Sequence, residues 1–502
     1  MSRGFICFSS LNVLVLFVLV AFSAVPRRVI AEEKTQVVTS AKAIAMAMEN
    51  NPSLRAALLA VAQADATLKA EEGSFPWVLE ADTGYTHSST PQGNSVYQQG
   101  NSVSTGVGLS KSFTTGTSVN MQLDGEWVNA EETTTATTAR RYPTWGAGAR
   151  LTVVQPLLRG FGNRVGEAPI RQARAEKGAS EKSAQVSAGE VAESVLDQYW
   201  SLWLALRTVE INRKSRDVAQ AQLDEVSERV SLGDAAMVEK LSYQTRLSSL
   251  EETVIESEAE VRRLQLALAN AIGVVQGPRR ILPTTSEPLP TWETVPELAD
   301  IVEKAVIASP SVAAAEATVS LQEERLRVAG ESERQRLDVT GWLEARTLGT
   351  NEVAPVVTDL SKGDVLAGYV GVVYELPLDK RKRDGERAVA RIGVETARQT
   401  LETQKNRVVT EVATAHDDLL TAKKRIEMAR ETFALATAEA EAQRERYRLG
   451  AALFTTVRDA EETVREAELR LTAASVDAVK AQISIEQLTG ALLNRLGKQF
   501  FF

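Results

Sequence analysis

A single turn motif occurs twice in this chain, in the same phase and 217 residues apart. Glu228-Arg229-Val230-Ser231-Leu232-Gly233 returns as Glu445-Arg446-Tyr447-Arg448-Leu449-Gly450, and the same offset carries Gly273 onto Gly490. A repeat of this size constrains architecture before any local motif does, because each copy must build the same kind of unit. The chain is therefore expected to form two like halves related by pseudo-symmetry.

The N-terminus reads as a secretory signal over residues 1–31. Arg3 precedes an apolar run from Leu11 to Phe22, and Val29-Ile30-Ala31 fits a small-residue cleavage site. The run is shorter than the roughly 20 residues of a bilayer-spanning helix, which argues against an anchor. No later run reaches that length either. The single cysteine, Cys7, lies within the signal, before its apolar run. The mature chain therefore has no disulfide, thiol nucleophile or cysteine metal site, and lipid anchoring is not expected. The formal charge is −9, and loss of the three arginines of the signal makes it more negative still. Such a chain is a poor nucleic-acid binder, which would need clustered cations.

Each half opens with a helix ended by proline: Ala43 to Pro52 in the first, Ile301 to Pro310 in the second. Proline starts helices and does not continue them, so two short helices meet at each step. Segments of period two follow. Val103-Ser104-Thr105-Gly106-Val107-Gly108-Leu109 is one, with its apolar groups on alternate residues; Val119, Met121, Leu123 and Trp127 lie in another; Trp145, Ala147, Ala149, Leu151 and Val153 in a third. In the second half Leu337, Val339, Gly341 and Leu343 alternate, as do Val365, Ala367, Tyr369, Gly371 and Val373. Alternation predicts half-buried strands, which suit either a sheet on a soluble core or a transmembrane barrel.

After Gln155-Pro156-Leu157 and Leu376-Pro377-Leu378 the period becomes helical, from about Arg164 to Leu232 and from about Gly385 to Leu449. Each helix would extend roughly 100 Å. Shorter returning helices end at Gly273 and Gly490. Val412, Leu419, Ile426, Phe433 and Ala440 are spaced by seven, beside a second such series of Val408, Ala415, Ala422, Ala429 and Ala436. Val195, Leu202 and Val209 repeat the phase in the first half. Paired apolar series of this spacing form a coiled-coil seam. A proline-rich stretch from Gly277 to Pro296 joins the halves as an exposed strap.

These pieces, in this order and occurring twice, resemble the TolC-like outer-membrane efflux proteins over essentially the whole mature length. The matching residues are Ala43–Pro52, Pro76 before the first strand, Gln155-Pro156-Leu157 and the two Arg-x-x-x-Gly turns. The resemblance implies an α+β membrane protein: a trimeric transmembrane β-barrel continuous with a long α-helical coiled-coil tunnel in the periplasm, with two structural repeats per chain. The implied divisions are the signal 1–31, a first repeat 32–276, a linker 277–299, a second repeat 300–493 and a tail 494–502. Two departures stand out. Arg334 replaces the equivalent of Pro76, and the first half holds an extra strand pair around Val103–Val128, which would widen the barrel or form an extracellular hairpin.

The resemblance also places a gate near the two turns. Asp459 matches one carboxylate of an acidic ring, whereas the other ring position is Thr456 here. Glu239 takes the acidic position of the first half, and Tyr447 matches a tyrosine that bonds it. A carboxylate ring would favour cations; on residue type alone, Glu239 and Asp459 are equally well read as solvated helix positions. Gly233 and Gly450 fit left-handed helix ends. With Leu232 and Leu449 they make an apolar tip, which in the family contacts a periplasmic adaptor. Arg229 and Arg446 either hold the turns or dock that partner.

No catalytic or cofactor motif is present, and His416, beside Asp417 and Asp418, reads as a surface residue. The expected function is a passive exit duct of a tripartite efflux or type I secretion system, as a homotrimer in outer-membrane lipid, served by an inner-membrane transporter. The alternative is an exported coiled-coil scaffold or adhesin without a pore.

Overall fold

The computed structural model describes residues 34–92, 96–134, 137–274, 281–290, 295–332, 334–347 and 366–496. The signal over 1–31 lies outside them, as do the end of the tail and parts of the linker.

The first two helices, α1 (Ser40–Asn50) and α2 (Pro52–Glu72), are set by their caps. Thr39 accepts from the amide of Lys42, and the Asn51 side chain accepts from Ser53 and Leu54 while Pro52 occupies the first turn. The helices α6 (Leu298–Ala308) and α7 (Pro310–Ser332) repeat this break at Ser309-Pro310.

Six strands form one antiparallel sheet: β2 (Trp77–Gln92), β3 (Val96–Ser112), β4 (Ser118–Thr134), β5 (Thr137–Pro156), β7 (Arg336–Arg346) and β8 (Leu366–Glu375), paired in chain order. The extra pair of the first half is therefore β3 and β4, full members of the sheet. The registers place Leu79, Val107, Leu123, Ala149, Leu343 and Leu366 on one face, with Tyr85, Trp127, Trp145 and Val370 beside them. Most of that apolar face is exposed, Leu79 at 71% and Val370 at 80%. The other face carries Glu80, Asp82, Asp124, Glu126, Arg150 and Glu344. Strand β8 corrects the sequence reading. Ala367, Tyr369, Gly371 and Val373 share the polar face with Glu344, and Leu366, Val370 and Val372 share the apolar one. Both rows of β8 are apolar, so alternation alone does not identify its outer side.

The short helix α3 (Asn163–Gly166) leads into α4 (Ala168–Ser231), which turns back as α5 (Met237–Ala271). In the second half α8 (Arg381–Arg448) turns back as α9 (Phe454–Leu488), followed by α10 (Ala491–Leu496). The ends of α4 and α8, and both ends of α5 and α9, are 217 residues apart. Gly273 and Gly490 close these hairpins at positive φ and lie against the carbonyls of Asn50 and Ala308, so each returning helix ends on a proline step. A Cβ on either glycine would sit within 3 Å of those oxygens.

Two cores hold the helices. In one, Val195, Tyr199 and Leu202 of α4 meet Ile44 of α1, Leu268 of α5 and Val479 of α9. In the other, Val408, Val412 and Leu419 of α8 meet Ile301, Val312 and Ile485. Most of the predicted seam is buried: Val408, Val412, Ala415, Leu419, Ala422, Ala436 and Ala440 on α8, while Ile426, Ala429 and Phe433 of the same two series are half-buried. His416 is buried too, against expectation, because it shares the helix face of Val412 and Leu419. The linker is also not a free strap. Its strand β6 (Ile281–Thr284) pairs in parallel with β1 (Lys34–Val37), and Leu282 is buried. Glu287 then accepts from the Ser40 amide and the Tyr199 hydroxyl, at 3.0 and 3.2 Å, while its carbonyl accepts from Trp203.

Candidate functional site

Both helical tips end in the same way. Gly233 and Gly450 have φ of 84° and 72°. The amide of Asp234 bonds the Arg229 carbonyl at 2.9 Å and that of Ala451 bonds the Arg446 carbonyl at 2.8 Å. This closure satisfies carbonyls that the helix end would leave open, and the left-handed residue it needs is glycine. Leu232, Leu449 and Leu453 stand exposed around the turns, joined by Met237, Val238 and Leu241, which the sequence reading did not single out.

The two hairpins touch just above these turns. Tyr447 of α8 donates its phenolic hydrogen to the carboxylate of Glu239 on α5, and Arg229 of α4 donates to the Tyr447 oxygen at 3.4 Å. Arg446 bonds the Ala451 carbonyl at 3.4 Å, within its own turn. The two arginines therefore diverge: Arg446 closes its turn, and Arg229 reaches across to the other hairpin. Asp459 stands apart, exposed on α9 and paired with its neighbour Arg458 at 2.7 Å. Within one chain the structure thus joins Glu239 with Tyr447 and leaves Asp459 separate.

Beneath this polar contact lies an apolar one. Tyr243 and Phe454 pack with ring centroids 3.7 Å apart, against Val226 and alongside Val230 and Tyr447. Burial pushes the Tyr243 phenol well above its ordinary value, and the Tyr447 phenol is raised first by burial and then by its bond to Glu239. Both phenols are therefore protonated at neutral pH, and Tyr447 is held in the form that can donate.

The sequence reading missed Tyr243 and Phe454 for a reason. At the 217-residue offset they correspond to Ala460 and Met237, so comparing the halves hides them. Among the described residues no cluster of His, Cys, Asp and Glu could hold a metal ion, and no helix is long and apolar enough to cross a membrane. The arrangement has the parts of a reversible clasp: a polar bridge over an aromatic contact, at the far end of two long hairpins.

Residues 301–491 match the family described as outer membrane efflux protein. No curated protein sequence matches the chain. Among solved structures it is similar to the outer membrane channel CmeC of Campylobacter jejuni, at 13% identity and a TM-score of 0.65, covering 90% of this chain and 85% of that one. The outer membrane protein VceC of Vibrio cholerae is 14% identical with a TM-score of 0.63, covering 90% and 96%. CusC, described as undergoing conformational changes that accompany transmembrane channel formation, is 14% identical with a TM-score of 0.64, covering 90% and 91%. At these identities the likeness is one of fold.

Proposed function

We infer that this chain, which carries an outer membrane efflux protein domain over residues 301–491, is the outer-membrane exit duct of a tripartite efflux or type I secretion system. The observation that carries this reading is the sheet. One face is a broad exposed apolar surface, the other is polar and acidic, and strands β5 and β8 lead into the two long hairpins. A soluble protein would cover such a face, whereas a barrel wall turns it to lipid and its opposite face to water.

Closure needs further copies, because among the described residues β2 and β8 leave both sheet edges unpaired. The edge strands run in opposite directions, since five antiparallel pairings separate them. Strand β8 of one copy can therefore join β2 of the next without breaking the alternation. Three copies would close three six-stranded sheets into one barrel, wider than the four strands per chain usual in the family. The repeated hairpins would then enclose a periplasmic tunnel as two structural repeats per chain, with the clasp of Glu239 and Tyr447 at its inner mouth. Asp459 of each copy, exposed and paired with its helix neighbour Arg458, would face its counterparts in an acidic ring there. The exposed leucines of the two turns suit docking by a periplasmic adaptor, and the work of transport belongs to an inner-membrane pump. The duct itself is passive, with no chemistry asked of it.

Single-channel recording of the purified protein in a planar bilayer tests this. Cation-favouring steps that lose selectivity in Asp459→Ala are expected. A folded, assembled protein that never conducts would overturn the duct and restore the scaffold.

A further inference from the structure

Above the clasp, the hairpins meet again through a buried charge that the sequence reading did not single out. The Glu461 side chain of α9 is only 5% exposed. One carboxylate oxygen accepts from Arg444 of α8 at 2.9 Å and from Gln222 of α4 at 2.7 Å. The other lies 2.8 Å from the guanidinium of Arg246 on α5, which is itself 10% exposed. One carboxylate therefore ties all four long helices together.

Such a group behaves differently from an apolar contact. A buried ion pair adds little net stability over well-packed apolar residues, but removing one partner strands the other charge and is strongly destabilising. Here two arginines face one carboxylate: neutralising Glu461 takes the carboxylate contact from Arg246, 10% exposed, whereas Arg444, 46% exposed, keeps its water. Glu461 thus favours one register of the α8–α9 hairpin on the α4–α5 hairpin, and any sliding of one on the other must break its contacts with Gln222 and Arg246 together.

We propose that Glu461 is a second latch of the inner mouth, separate from the Tyr447–Glu239 clasp, and that opening requires its release. Resting on the gated-duct reading, the latch divides closure between two levels. The clasp acts at the turns, in reach of water and of a docked partner. The latch acts deeper, where only movement of a whole hairpin reaches it.

Single-channel recording of four variants tests the assignment. Glu461→Gln is expected to raise the open fraction roughly tenfold, with the Tyr447 contact intact. Adding Arg246→Gln to Glu461→Gln removes a stranded charge and is expected to restore closure in part, which a general loosening of the helices would not do. Tyr447→Phe combined with Glu461→Gln should open the channel more than either alone. Gln222→Ala keeps every charge and removes one donor. It should give a small rise, and it keeps the question decidable should Glu461→Gln not assemble. Unchanged opening in Glu461→Gln, or in Gln222→Ala where that is the variant that assembles, overturns the latch while leaving the duct intact. A wild-type protein that does not conduct overturns the duct and the latch together.

Discussion

Tyr447 and Glu239 stand 208 residues apart in sequence and join the two hairpins by one charge-assisted hydrogen bond. Tyr447→Phe removes the donor to Glu239 and the acceptor of Arg229 while keeping the ring against Tyr243 and Phe454, so the loss is that of the polar bridge, about 1–3 kcal/mol of closure. The resting conductance should rise several-fold without a change in folded stability, as recording beside thermal melting would show. The bond also depends on pH. The folded pKa of Tyr447 is raised, so its contribution is complete below the ordinary tyrosine value and is lost as pH rises beyond it. Alkaline solution above about pH 10 should therefore open the wild type and leave Tyr447→Phe unchanged.

Part of this site was readable from residue types and part was not. Gly233 and Gly450 were legible because a left-handed helix end leaves almost no other choice of residue. The seam on α8 was legible because a coiled coil writes its packing as a period. Contacts between unlike positions have no such signature. Glu461, Arg246, Arg444 and Gln222 fall opposite Gln244, Thr463, Ser227 and Glu439 in the other half, so what ties the halves together is what they do not share. The same holds for β1 with β6. A four-residue strand pairing with another nearly 250 residues away leaves no local pattern beyond two short runs. In β8 the pattern existed but was ambiguous, because both rows of side chains are apolar.

The β3–β4 turn is bound to the junction between sheet and helix, and one glycine makes that possible. Gly116 has φ of 86°, and a Cβ there would meet the carbonyl oxygen of Gly160 at 2.0 Å. Around it the Gly162 amide bonds Thr115, and the Thr117 hydroxyl donates to Gln155 at 2.6 Å. Gly116→Ala should thus combine backbone strain with a collision between backbones, for about 3 kcal/mol or more. Gly162 has a similar φ of 87° but open space around its Cβ position. Gly162→Ala should carry the strain alone, about 1–2 kcal/mol. Denaturant unfolding of both variants should keep that order. Equal losses would mean that the turn does not rest on the junction.

Acid should loosen the α2–α4 contact before it unfolds the long hairpins. Asp65 of α2 lies 2.7 Å from both Lys177 of α4 and Lys69, and these bonds hold its carboxyl down to about 2. Because the folded value is depressed, the contribution is complete above the ordinary aspartate value and is lost as pH falls toward 2. Hydrogen exchange of α2 should accelerate between about pH 4 and pH 2. Asp65→Asn should show the faster exchange already at pH 5 and no further acid step from this pair. A wild-type α2 equally protected at both ends of that window would rule the pair out as its anchor.

The barrel reading makes its sharpest demand on two neighbours in β3. Val103 lies on the apolar face between Tyr85 and Trp127, and Ser104 lies on the polar face between Gly84 and Glu126. Both are mid-strand and exposed in the single chain, so burial within the chain does not distinguish them. A lipid-facing arginine near mid-bilayer costs about 2–4 kcal/mol, whereas a lumen-facing one keeps its water. Val103→Arg should therefore lower the amount of assembled protein recovered with the outer membrane. Ser104→Arg should insert normally, stand beside the Glu126 carboxylate and make the pore less cation-favouring. If the two are recovered alike, the apolar face does not meet lipid. Poor recovery of Ser104→Arg alone would mean that the faces are reversed. Only loss of Val103→Arg together with a conducting, selectivity-shifted Ser104→Arg fits a sheet whose apolar side is the outer wall and whose acidic side is the lumen.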